Sequence, residues 1–110
     1  MNQIILANTV SAGTTQNSGV LSLGDNTGYF IAIDFSGSDL AGTAKLQISS
    51  DNSDWIDLTD GSQSVTSAAS KYWNISGAQY PYVRVSWTYT SGTGNWTVTA
   101  TLKDLVVSGV

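Results

Sequence analysis

Histidine, cysteine and glutamate are missing altogether from this sequence of 110 residues, and arginine, proline and methionine occur once each. Without His and Cys the chain has no access to the commonest general base, the usual transition-metal ligands or a thiol nucleophile. No disulfide framework is available, so stability must come from packing or from association. With Asp as the sole acidic side chain, turns are favoured over helix interiors. Charge is scarce: charged residues make up 11% of the chain against about a quarter in an average soluble domain. Ser, Thr, Gly and Asn take their place, which makes the exterior polar but nearly neutral. The net charge is -4, from four basic and eight acidic residues. No Lys/Arg cluster exists to supply the attraction behind non-specific nucleic-acid binding, so no nucleic-acid partner is expected. No run approaches the ~18 apolar residues of a membrane helix, and the start MNQIILANTV lacks the basic and apolar regions of a secretory signal. The expectation is a protein made in a cytoplasm, away from membranes.

What is present is enough for one core. A hydrophobic fraction of 41% and an aromatic fraction of 10%, at the usual size of one domain, predict a single unit over residues 1–110. Its periodicity is two. Gln3 to Val10 is apolar on both faces around Ile4, Ile5 and Leu6, and a short strand is expected over Gly19 to Leu23. Tyr29, Ile31, Ile33 and Phe35 share one face of the next strand, after a Gly24 to Gly28 segment that reads as a hairpin turn. Ala44, Leu46 and Ile48 alternate with Lys45, Gln47 and Ser49; Ser50 to Asp54 turns the chain, and Trp55 to Leu58 runs back. Asp60 to Ser70 reads as a weak edge strand with loops, and Lys71 to Ile75 as another short strand. Val83, Val85, Trp87 and Tyr89 line one face of the clearest strand; Ser91 to Gly94 reads as a second hairpin, and Trp96, Val98, Ala100 and Leu102 continue the apolar face. The last two strands are expected side by side at the centre of a sheet. About eight or nine such strands fit an all-β, two-sheet antiparallel β-sandwich of jelly-roll or immunoglobulin-like topology.

The chemistry these residues offer is limited. Asp51, Asp54, Asp57 and Asp60 raise the question of a carboxylate pair for glycoside hydrolysis. Three of them lie in or beside expected turns, where Asp bonds its own backbone, so a non-enzymatic protein is expected. Asp51, Asp54 and Asp57 are a weak candidate for Ca²⁺, since "DNSDWID" lacks the alternating acidic positions of an EF-hand; otherwise no metal or cofactor is expected. Trp55, Trp73, Tyr80 and Tyr82 raise the question of stacking on a sugar. Trp55, Trp87 and Trp96 read as packing residues, which leaves Trp73, Tyr80 and Tyr82 as the glycan-stacking candidates. Arg84 stands on a solvent face, where an ion pair with a nearby Asp is expected and an interface contact is the alternative. Ile4, Ile5 and Leu6, with Leu105, Val106 and Val107 near the C-terminus, are apolar segments suited to pairing with each other or with a second copy.

The segments "KLQISSDNSDWIDL" and "YPYVRVSWTYTSGTGNWTVTATLK" resemble the small β-sandwich structural modules of bacteriophage virions, with Asp51, Trp55, Tyr82, Arg84, Gly92 and Gly94 at the matching positions. A related pattern, Ser-x-Asp-x-x-x-Trp followed by Tyr-x-Arg, is similar to discoidin-like and other carbohydrate-binding sandwiches, from which this chain departs in being shorter and cysteine-free. The first resemblance implies a virion structural protein: a capsid decoration, head-fibre or tail-associated subunit. Its partners would be copies of itself, as a trimer, and other virion proteins, and host-surface glycan is a further candidate. The second implies a carbohydrate-binding module using exposed aromatic side chains. A neutral surface and apolar termini suit docking on a symmetric shell.

Overall fold

The computed structural model describes Gln3 to Lys103 apart from residues 25–27, 38, 67–68 and 77–79, and these residues form strands and connections with no helix. The strands are β1 (Gln3–Ser11), β2 (Gln16–Asn17), β3 (Leu21–Ser22), β4 (Gly28–Ser36), β5 (Ala41–Ser49), β6 (Ile56–Thr66), β7 (Ala69–Ile75), β8 (Tyr82–Ser91) and β9 (Asn95–Lys103). One sheet has the order β1-β9-β4-β7; the other has β2-β8-β5-β6, with β3 also pairing β8. All pairings are antiparallel.

The topology is that of a hairpin wrapped around itself. β5 pairs β6, β4 pairs β7, β2 and β3 pair β8, and β1 pairs β9, each pair nested outside the last. Lateral pairs β4·β9 and β5·β8 then close the two sheets. Of the two topologies the sequence leaves open, this nesting is the jelly roll.

Two expected hairpins are corrected by it. β3 and β4 lie in different sheets, so the chain passes from one sheet to the other between them and they do not form the hairpin expected about Gly24 to Gly28. β8 and β9 are each interior to a sheet, but to opposite sheets, and Ser91 to Gly94 is likewise a crossing. The glycines there answer to packing. A Cβ on Gly92 would collide with the Asp39 carbonyl, and one on Gly94 with the Ser36 carbonyl, because the β4–β5 crossing runs alongside. Gly92 also needs its positive φ of 87°. β6 is longer than expected, since its Ser/Thr-rich half pairs with Ala41 to Lys45 of β5.

Alternation sends Tyr29, Ile31, Ile33 and Phe35 of β4, Val83, Val85 and Trp87 of β8, and Trp96, Val98 and Ala100 of β9 into one shared core. At one end Phe35 meets Trp87 with ring centroids 4.7 Å apart and Trp96 at 6.0 Å. The Trp87 Nε1–H donates to the Ala12 carbonyl at 2.8 Å, so this buried indole is satisfied. At the other end the Tyr29 and Tyr80 hydroxyls lie 2.7 Å apart. β1, an edge strand, carries register shifts after Ile5 and after Ala7, and Thr9 sits at φ 50°. Such irregularities blunt an edge against pairing with another chain.

Candidate functional site

The turn between β5 and β6 begins with Ser49, a residue 3% exposed whose hydroxyl accepts from the backbone N–H of Asp51 at 3.2 Å and Asn52 at 2.9 Å. The same hydroxyl donates to Asp51 Oδ1 at 3.1 Å. Asp51 Oδ1 accepts from the N–H of Ser53 and of Asp54, each at 2.9 Å. Asn52 holds φ at 62°, a conformation Asn tolerates better than most. The amides of Asp54 and Ser53 and then the Ser49 hydroxyl hold the Asp51 carboxyl below its ordinary pKa.

This knotted turn delivers Trp55 to the outer face of the five-stranded sheet. There the Arg84 guanidinium carbon lies 4.3 Å from the centre of the Trp55 ring. Arg84 faces outward because its neighbours Val83 and Val85 take the core side of β8. In the register, Gln47 of β5 stands opposite both Arg84 and Asp57 of β6. A row of hydrogen bonds follows: Arg84 Nε donates to Gln47 Oε1 at 2.9 Å, and Gln47 Nε2 donates to Asp57 Oδ1 at 2.9 Å. Lys45 Nζ reaches Asp57 Oδ2 at 3.7 Å, an exposed pair that contributes about 0–1 kcal/mol. Partial burial lowers the Arg84 pKa, but a guanidinium remains charged.

The expected ion pair between Arg84 and an Asp is therefore corrected. Among the described residues its partners are a neutral amide and an aromatic face, and the nearby carboxylate is taken by Gln47 and Lys45. Trp55 and Trp73 exchange their expected places. Trp55, read as a packing residue, is half-buried at the surface, whereas Trp73 is 5% exposed. Trp73 and Ile75 stand opposite Ile31 and Tyr29, so β7 turns both toward the core. Ile75, two residues on, was the signal for that face. Tyr80 is anchored through its hydroxyl to Tyr29, and Tyr82 stands outward opposite Ser49 and Ser22. Trp73, Tyr80 and Tyr82 thus form no common platform. For Ca²⁺, Asp51 Oδ1 is occupied by amides, and Asp57 on β6 by the Gln47 and Lys45 side chains of β5. No group of three potential metal ligands occurs among the described residues. Gln47, and the place of Asp57 beside it, escape sequence reasoning, because cross-strand register is a non-local property.

The outer face of the four-stranded sheet differs in character. Ile5 is 57% exposed and Tyr72 is 62% exposed. Ile5 stands opposite Thr99, Thr99 opposite Ala32, and Ala32 opposite Tyr72. Phe30 stacks on Tyr72 with ring centroids 5.5 Å apart. Of the N-terminal interface candidates, Ile4 packs against the core and Leu6 is buried, so Ile5 alone presents itself outward. Leu105, Val106 and Val107 lie outside the described residues.

No family model and no curated protein sequence matches this chain. Among solved structures it is similar to the SPBc2 prophage-derived protein YomS, with a TM-score of 0.63 at 15% identity over 93% of this chain and 92% of that one. A cellulose-binding domain of Cellulomonas fimi β-1,4-glucanase C aligns at a TM-score of 0.45 and 11% identity, over 94% of this chain and 79% of that one. The coat protein of Tobacco streak virus aligns at 0.42 and 12%, over 98% and 92%. The first likeness establishes the shared sandwich fold and meets the phage resemblance read from the sequence at that level; it carries no residue roles.

Proposed function

We propose that this chain is a non-enzymatic structural subunit of a bacteriophage virion that binds copies of itself and other virion proteins through the outer face of its four-stranded sheet. The observation that carries the reading is the stack of half-buried Phe30 on exposed Tyr72, continued across Ala32 and Thr99 to Ile5. A connected apolar and aromatic surface on a sparsely charged, hydroxyl-rich protein is the signature of a contact face. The irregular β1 edge argues for contact through this face and against strand addition. The fold likeness to a prophage-derived protein supports a phage origin, and the motif resemblance supports a trimer with decoration, head-fibre or tail-associated roles in the virion.

Sedimentation velocity of the full chain tests this. Association to a multiple of 11.6 kDa, reversed by Ile5→Asp or Tyr72→Ser without loss of the folded melting transition, is the expected result. A strictly monomeric protein at high concentration overturns it.

A further inference from the structure

We infer that the Trp55–Arg84–Gln47 group on the outer face of the five-stranded sheet is a binding site for a carboxylate-bearing saccharide. Arg84 is the chain's single arginine. Its Nε is committed to Gln47 at 2.9 Å and its flat face to Trp55 at 4.3 Å. The Gln47 amide is itself oriented by its bond to Asp57, which fixes the oxygen toward Arg84. The guanidinium is thus held in one plane, while its two terminal amino groups have no partner among the described residues. That free pair of donors is the fork that matches a carboxylate bidentately. The local acid does not compete, because Asp57 accepts from Gln47 and pairs with Lys45. The Trp55 indole N–H is likewise unpartnered among the described residues and adds a donor beside the fork.

The surroundings select the class of ligand. Thr43 on β5, Ser62 on β6 and Ser86 on β8 lie on this face beside Lys45, a flat array of hydroxyls suited to sugar hydroxyls. β5 and β8 are paired on both sides, so their backbone offers no ladder to an extended peptide. With Lys45 engaged by Asp57, Arg84 is the one cation without a carboxylate partner among the described residues of this group, and on a protein of net charge -4 that suits one carboxylate per few sugar units and not a polyphosphate.

The test is heteronuclear NMR titration of the full chain with oligosaccharides of galacturonate, glucuronate and N-acetylneuraminate, each alongside its methyl ester, and with an oligo-aspartate peptide. The expected result is that at least one acidic sugar shifts the Arg84 Nε–H and Trp55 indole signals. Its ester, and Arg84→Lys, should each weaken binding about tenfold or more, because lysine keeps the charge but loses the fork. If Arg84→Lys does not fold, Gln47→Ala, which releases the guanidinium from its anchor, must show the same loss. Equal binding of acid and ester, equal or tighter binding of oligo-aspartate, shifts confined to other surfaces, or no shift with any of the three acidic sugars overturns the assignment.

Discussion

Gly42 lies on β5 opposite Tyr89, at a register shift, beneath the Trp87 ring. A Cβ there would collide with the indole and with the Thr88 carbonyl. Neither can yield cheaply, since Trp87 is fixed by its bond to Ala12 and by contact with Phe35. Overpacking of this kind costs about 1–3 kcal/mol, and Gly42→Ala belongs at the upper end, with a fall in Tm of about 10 °C or more. Gly13→Ala, whose Cβ would make one ordinary contact with Ser11, should leave the melting curve almost unchanged. The buried Tyr29 hydroxyl gives a second prediction. Desolvation first, and then the Tyr80 hydroxyl, push its pKa well above the ordinary 10.0. A raised pKa means that the folded state holds the proton longer than the unfolded chain. The contribution of Tyr29 to stability is therefore level below pH 10.0 and declines as pH rises beyond it. Urea titrations across the alkaline range should show this decline. In Tyr80→Phe, which leaves the buried Tyr29 hydroxyl unpaired, stability should fall by about 1–3 kcal/mol at neutral pH. The alkaline slope should persist in that variant, because burial is its main cause.

At the scale of elements, the β5–β6 turn converts a sequence motif into a surface. Ser49 and Asp51 shape the turn, and the turn places Trp55 against Arg84. The Asp51 pKa is depressed, so its contribution is complete above the ordinary value of 3.8 and is lost as pH falls through the lower folded value. Melting temperature should therefore decline on acidification below that ordinary value, with a shallower decline in Asp51→Asn. The same substitution should alter Trp55 fluorescence at neutral pH, at a stability loss small beside that of Gly42→Ala. This element also marks the limit of what the sequence reveals. Alternation located β4, β5, β8 and β9 and their inward faces, since each inward residue is a local consequence of strand geometry, whereas it misread the Ser/Thr-rich half of β6 and the face of Trp73 on β7. Sheet membership was not legible: Gly92 and Gly94 look like hairpin glycines, and only the neighbouring β4–β5 crossing shows why they must lack a Cβ. Arg84 and Trp55 stood out as types of residue. Their union with Gln47 and Asp57 depends on registers between strands distant in sequence, which no local pattern encodes.

For the whole molecule, the jelly roll buries one face of each sheet and leaves the two outer faces on opposite sides of a single core. The apolar face around Ile5 and Tyr72 and the polar face around Arg84 therefore share no side chain, and association through one leaves the other open. In an oligomer built as proposed above, several Arg84 sites would meet one carpet of acidic polysaccharide together. Linked sites turn each later binding step into an intramolecular one, and avidity can exceed single-site affinity by about 10²–10⁴. Ile5→Asp separates the two properties, because Ile5 is exposed on an edge strand and lies on the opposite face from the arginine. On a surface coated with an acidic polysaccharide that binds in solution, the wild-type protein should dissociate at least about a hundredfold more slowly than the Ile5→Asp monomer. Affinity for a short soluble oligosaccharide of the same sugar should be equal in the two proteins. Equal dissociation rates would mean that copies do not associate through this face. A loss of short-oligosaccharide affinity in Ile5→Asp would mean that the two faces are coupled through the core they share.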